Sequence, residues 1–223
     1  IARYALIVLL ILIAGISVSQ ELATGSIKSL IIAPVKRWKI FTAKLLSIIT
    51  WMVFSSVILT LFSLLGTGLA FGFGKLPPYL YVSGGNVVEM PFLVAKILID
   101  FLLNIPAFFY ALVAFMASCF TKNSGVSVGI PAGLFLFHEV PTYLQGSDMP
   151  QRFLDFTPIA NMEFAEKLFP YYKLMLATED MDFDIFGSHG FTNTLWSMVL
   201  YLVILTGTVL LIAYDEFTKK DIA

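Results

Sequence analysis

Five apolar runs, each as long as a bilayer-crossing helix, constrain this chain more than any other feature. They cover about residues 2–19, 40–70, 91–120, 126–144 and 194–214. A helix needs roughly 20 mostly apolar residues to cross the hydrocarbon core. A barrel strand would alternate apolar and polar residues with a period of two, and these runs do not. Helices satisfy their own backbone polar groups in lipid, so the runs read as spans. Composition agrees: 13% of the residues are charged, against about 25% in soluble domains. The expected fold is an all-α integral membrane protein, a polytopic helical bundle forming a single transmembrane domain over residues 1–223.

Lys and Arg set the orientation. The segment between the first two runs, the turn Thr121–Ser124 and the tail Asp215–Ala223 hold Lys28, Lys36, Arg37, Lys39, Lys44, Lys122, Lys219 and Lys220. The opposite side carries most of the acids, among them Glu89, Asp148, Asp155, Glu163, Glu166 and the run Glu179–Asp184. The positive-inside rule therefore places the first group in the cytoplasm. Five spans put the termini on opposite sides, and the chain enters its first run almost at once from Ile1. A further span before residue 1 is expected, and no signal peptide is read there.

The outer segment Phe71–Met90 is rich in Gly and Pro and reads as an irregular loop. The second outer segment, Gln145–Asn193, places Ile159, Met162, Leu168, Tyr172 and Met175 at near-helical spacing, interrupted by Pro170. Two short amphipathic helices over about 150–178 are expected at the membrane surface. Phe153, Phe156, Tyr171 and Tyr172 would be their interfacial aromatics.

Few residues offer chemistry. Asp100 and Asn104 lie one turn apart in the third run, with Pro106 following. An acid within a span is a functional candidate, so Asp100, Asn104 and Glu139 are candidate polar groups of a translocation path. The alternative for Asp100 is a structural pair with Lys96, four residues away on the same face. His138 and Glu139 are adjacent and point in different directions, which makes no catalytic pair. A metal site needs three or more suitably spaced ligands, and no metal site or catalytic residue is assigned. The single Cys119 excludes an internal disulfide framework. Gly125, Gly129 and Gly133 form a GxxxGxxxG series, the expected helix-packing face, used either within the chain or between copies. Gly74-Lys75 lacks the spacing of a phosphate-binding loop, with Leu69 and Leu76 at two required positions. Any ATP-driven work must draw on a partner.

The stretch Glu21–Lys44, ELATGSIKSLIIAPVKRWKIFTAK, is longer and more patterned than a turn requires. It resembles the cytoplasmic loop of ABC-2 type transporter permeases, the transmembrane subunits of ATP-binding cassette exporters. The matching positions are Glu21, Gly25, Ser26 (where the family usually has Thr), Ile27, Leu30, Pro34, Val35, Arg37, Ile40 and Lys44. The tail Phe217–Ile222 is similar to the family's short basic C-terminus, and the resemblance extends over the whole span layout.

The resemblance implies a type V exporter-like fold of six spans, the first of them missing here, and a bacterial inner-membrane location. It implies a coupling helix over about 21–34 that docks on a separate cytoplasmic ABC ATPase subunit. Glu21, Gly25, Ser26, Ile27, Leu30, Ile31, Pro34 and Arg37 would form the coupling element. Gly25-Ser26 would start its helix and Ile27, Leu30 and Ile31 would give it an apolar face. Pro34 would end it, and Lys36, Lys39 and Lys44 would anchor the next span among lipid headgroups. The bland alternative is a basic anchor with no protein partner. A second permease subunit, identical or related, and membrane lipid are the other implied partners, with no nucleic acid. The chain would bind no cofactor itself, ATP and Mg belonging to the ATPase, and would not itself be an enzyme. The expected cargo is an amphipathic or hydrophobic peptide, toxin or drug moved outward. The competing classes are an ion-coupled secondary transporter or channel and an intramembrane protease.

Overall fold

The first apolar run becomes helix α1, Ala2–Thr24, which extends past the expected span end and takes in Glu21. A computed structural model of the chain describes residues 2–26, 36–72, 78–83, 86–143, 161–162, 164–169 and 195–219. The order continues with α2 (Arg37–Phe71), β1 (Tyr79–Ser83), β2 (Asn86–Met90), α3 (Phe92–Leu103), α4 (Ile105–Phe120), α5 (Ser124–Tyr143), α6 (Phe164–Leu168) and α7 (Leu195–Lys219). Glycine terminates both α1 and α2. Gly25 and Gly72 follow them at φ +73° and +87°, the left-handed conformation that closes a helix and that a Cβ disfavours.

Four helical stretches are long and apolar enough to cross a bilayer: Tyr4–Thr24, Arg37–Leu69, Phe92–Phe120 and Leu195–Lys219. The protein is therefore membrane-embedded. The fourth apolar run is also helical, as α5, but its apolar portion Ser124–Leu136 falls short of that length among the described residues.

Two expectations change. The Phe71–Met90 segment is not irregular throughout, because β1 and β2 pair antiparallel with Tyr79 opposite Met90 and Ser83 opposite Asn86. The sequence between them is Gly84-Gly85, a pair that two-residue hairpin connections favour. The fold is thus mainly helical rather than all-α. The third run, expected as one helix, is two. Pro106 has no N–H to donate and its ring crowds the carbonyl four residues back. The ladder breaks just before it, and the Asn104 N–H bonds to the Phe101 carbonyl at 3.1 Å in a tighter turn.

The chain packs as two compact units. The first comprises residues 1–55, 106–149 and 201–223. In it α1 buries Leu6, Ile7, Leu10, Ile11, Ala14 and Val18, a stripe with helical spacing. Helix α4 is buried along nearly its whole length, where Ala107, Ala111, Ala114 and Ala117 let neighbouring backbones approach. Helix α5 packs on α1 through Ser127, Pro131 and Phe135, while Gly125, Gly129 and Gly133 face outward. The glycine series is therefore not the packing face within this chain. Close approach falls instead at Gly15 of α1, where a Cβ would stand 2.8 Å from Val128 Cγ2 and 3.2 Å from the Ser127 carbonyl oxygen. Pro131 and Phe135 explain the choice: they offer apolar contact area that glycines lack.

The second unit comprises residues 56–105 and 150–200. Its core gathers Tyr79 of β1, Ala95 and Ile99 of α3, and Phe169. The Tyr79 and Phe169 rings meet edge to face at 5.7 Å, and burial pushes the Tyr79 phenol above its ordinary pKa. Of the two expected outer helices, the single turn α6 is seen, and it packs on α3. Phe153, Phe156, Tyr171 and Tyr172 lie outside the described residues.

Candidate functional site

Glu21 belongs to the last turn of α1, and its placement defines the site. From α2, Lys44 reaches across so that its Nζ lies 2.7 Å from Glu21 Oε1 and donates to the Ser17 carbonyl at 2.8 Å. Ser17 and Glu21 are four residues apart, so one ammonium caps two acceptors on one helical face. Thr24 Oγ1 bonds back to the Gln20 carbonyl at 2.9 Å and meets Ser26 Oγ at 3.0 Å. The end of α1 is thus pinned to α2 on one side of the loop.

Next to this pair α2 makes a second junction. Arg37 donates from its guanidinium to the Thr218 carbonyl at 2.7 Å. Thr218 sits at the C-terminal end of α7, where carbonyls lack helical partners and a cation is favoured. One turn on, the Phe41 ring contacts Phe115 at 5.3 Å, Tyr214 at 5.4 Å and Phe217 at 5.8 Å. Helix α2 therefore joins α1, α4 and α7 within the first unit.

These contacts correct three sequence expectations. Lys44 is no headgroup anchor: its side chain is engaged by the protein and only 15% exposed. Lys36 and Lys39 stay exposed, with the Lys39 ammonium 5.8 Å from the Trp38 ring centre. Gly25-Ser26 does not start a helix; Gly25 ends α1, because its left-handed φ stops the ladder. Glu21 is part of α1 and not of a separate helix beginning at residue 21. Ile27, Leu30, Ile31 and Pro34 lie outside the described residues.

The second unit holds a different polar seam between α2 and α3. Lys96, Asp100 and Asn104 fall on one face of α3 at four-residue intervals, and Ser56 and Thr60 do the same on α2. Lys96 Nζ sits 2.6 Å and 2.7 Å from the two Asp100 oxygens, and Thr60 Oγ1 donates to Asp100 Oδ2 at 2.9 Å. Asn104 Nδ2 donates to Ser56 Oγ at 3.1 Å. The Lys96 and Asp100 side chains are 8% and 17% exposed. Asp100 is thus compensated by its own helix and by α2. Ser56 and Thr60 were not singled out from the sequence, although two hydroxyls one turn apart in an apolar run were a usable signal. The side chains of His138 and Glu139 are not among those described.

Chemically, both clusters consist of donors matched to acceptors, an arrangement that joins helices rather than one that activates a nucleophile. Among the described residues no three His, Cys, Asp or Glu side chains come together to hold a metal ion. An open cavity of about 430 Å³ runs along α1, from Leu12 to Glu21 and Ser26.

No curated protein and no solved structure matches the chain. A family model described as "Protein of unknown function (DUF2705)" matches residues 1–223, and the chain belongs to that family.

Proposed function

We propose that this chain is the transmembrane permease subunit of an ABC-2 type exporter, powered by a separate cytoplasmic ATPase subunit. The observation that carries the reading is the Glu21–Lys44 junction. It clamps the two helices that flank residues 25–36, the segment resembling the coupling loop. A loop whose stems are locked together delivers a push to both stems at once. Through Arg37 and Thr218 the same push reaches α7. A plain anchor between spans has no need of such a clamp.

In this reading Ile27, Leu30 and Ile31 dock on the ATPase and Lys36 and Lys39 meet headgroups. A second permease subunit completes the path, and five spans follow one that precedes residue 1. ATP and Mg are bound by the ATPase. The cargo is an amphipathic or hydrophobic molecule moved outward across a bacterial inner membrane. Asp100 and Asn104 act as helix joints, since their polar atoms are taken by Lys96, Thr60 and Ser56. That occupancy also speaks against an ion-coupled transporter built on Asp100.

The test is co-purification of an ATPase with Leu30→Asp and Ile31→Asp variants. Loss of association with the spans still folded is expected. Association undiminished by both changes would sink the docking model. Lys44→Met is expected to retain the ATPase but weaken transport, because the clamp and not the docking face is removed.

A further inference from the structure

The cavity along α1 is graded in polarity, and the protein's own contacts leave that gradient unexplained. Leu12, Ile13 and Ile16 line one end, and Gln20, Glu21 and Thr24 the other. Positions 12, 16, 20 and 24 recur every four residues, so the lining is a single stripe about 18 Å long. Its volume of about 430 Å³ lies within the range of roughly 300–1,000 Å³ found for small-molecule sites. Because α1 crosses the bilayer and ends just after Thr24, the apolar half lies toward the hydrocarbon and the polar half toward the headgroups.

The polar end carries an unmatched acceptor. Glu21 Oε1 is taken by Lys44, while Oε2 is shielded from water and has no hydrogen-bond partner among the described residues. A shielded carboxylate oxygen without a donor is costly. The terminal torsion of a Glu side chain is broad, so the carboxylate can swing toward an arriving donor while keeping Lys44.

We propose that this groove seats a phospholipid with a primary ammonium headgroup, its acyl chain along Leu12, Ile13 and Ile16 and its ammonium on Glu21. The charge pattern selects the headgroup. The Lys44 cation is already spent on Glu21 and Ser17, so an anionic headgroup meets a carboxylate with no free cation beside it. A choline headgroup carries the charge but no N–H to give Oε2. A primary ammonium supplies both charge and donor, and its phosphate lies within reach of the Thr24 hydroxyl.

The experiment uses the full chain in detergent, without any ATPase, so its outcome is independent of the permease reading. The protein is titrated with phosphatidylethanolamine, phosphatidylcholine and phosphatidylglycerol, and bound lipid is read by native mass spectrometry. Phosphatidylethanolamine is expected to bind at least about tenfold more tightly than the other two, the size of one charge-assisted hydrogen bond. Glu21→Gln is expected to remove that preference. Ile16→Trp, which fills the apolar half and leaves the Glu21–Lys44 pair intact, is expected to abolish binding of all three. Equal binding of the three lipids by the native protein, or a preference that survives Glu21→Gln, overturns the proposal. So does unchanged binding in Ile16→Trp.

Discussion

Hydrogen bonds join the helices of both units, but their acceptors differ. In the first unit side chains donate to main-chain carbonyls: Lys44 to Ser17, Arg37 to Thr218, and Ser127 to Gly15 at 2.6 Å. In the second unit side chains meet side chains: Thr60 and Lys96 at Asp100, and Asn104 at Ser56. A helical carbonyl that loses such a donor still has its own helix, so the loss is bounded. A buried side chain that loses its partner is left with nothing. The first unit should therefore tolerate change at its polar joints and adjust there, whereas the second should be brittle.

The largest expected effect comes from Lys96→Met. It leaves the Asp100 carboxylate buried without its cation, at a cost of about 3–5 kcal/mol, read as a lower unfolding midpoint in detergent. Adding Asp100→Leu should recover most of that loss. A double variant as unstable as the single would break the comparison, since the seam would then do more than satisfy its own charges.

Next comes Gly15→Ala in the first unit. Its Cβ would press on the Ser127 carbonyl, which cannot rotate away as a side chain can. Overpacking of this kind costs about 1–3 kcal/mol, measured by the same unfolding assay. Lys44→Met should cost less, about 1–2 kcal/mol, because Glu21 is 30% exposed and water can replace the ammonium. A loss matching that of Lys96→Met would erase the distinction between the two units.

The smallest effect is expected from Gly129→Ala and Gly133→Ala. A Cβ at either position meets nothing within 4 Å, so stability should change by less than about 1 kcal/mol, in the stabilising direction. If these changes leave the chain folded but alter its mass by light scattering, the stripe packs between copies.

How much of this was legible from the sequence follows from the same distinction. The Lys96–Asp100 pair could be read because both partners lie on one helix at a fixed spacing. The membrane-embedded helices could be read from run length alone, as could the end of the Phe71–Met90 segment that carries the Gly84-Gly85 turn signal, had it been weighted above the general Gly and Pro content. Lys44 was read as a headgroup anchor because its carbonyl acceptor, Ser17, has no signature: every residue has a carbonyl. Arg37 was assigned by family pattern for the same reason, and its bond to Thr218 spans 181 positions. The GxxxGxxxG series misled because small residues permit close approach without requiring it, and the adjacent Pro131 and Phe135 gave α5 a better face. Gly25 was placed at a helix start although glycine is the residue most suited to closing one.

Helix α2 has a consequence for the lipid around it. At 35 residues it is about 52 Å long, whereas the hydrocarbon core of a bilayer is about 30 Å thick. Tilting absorbs part of the excess, and the remainder must stand in the headgroup layers or beyond. A thinner membrane demands more tilt and a thicker one less, so the angle of this helix is a readout of bilayer thickness. Because Lys44 and Arg37 fix its first turns to α1 and α7, a change in lipid chain length becomes a torque on those two helices.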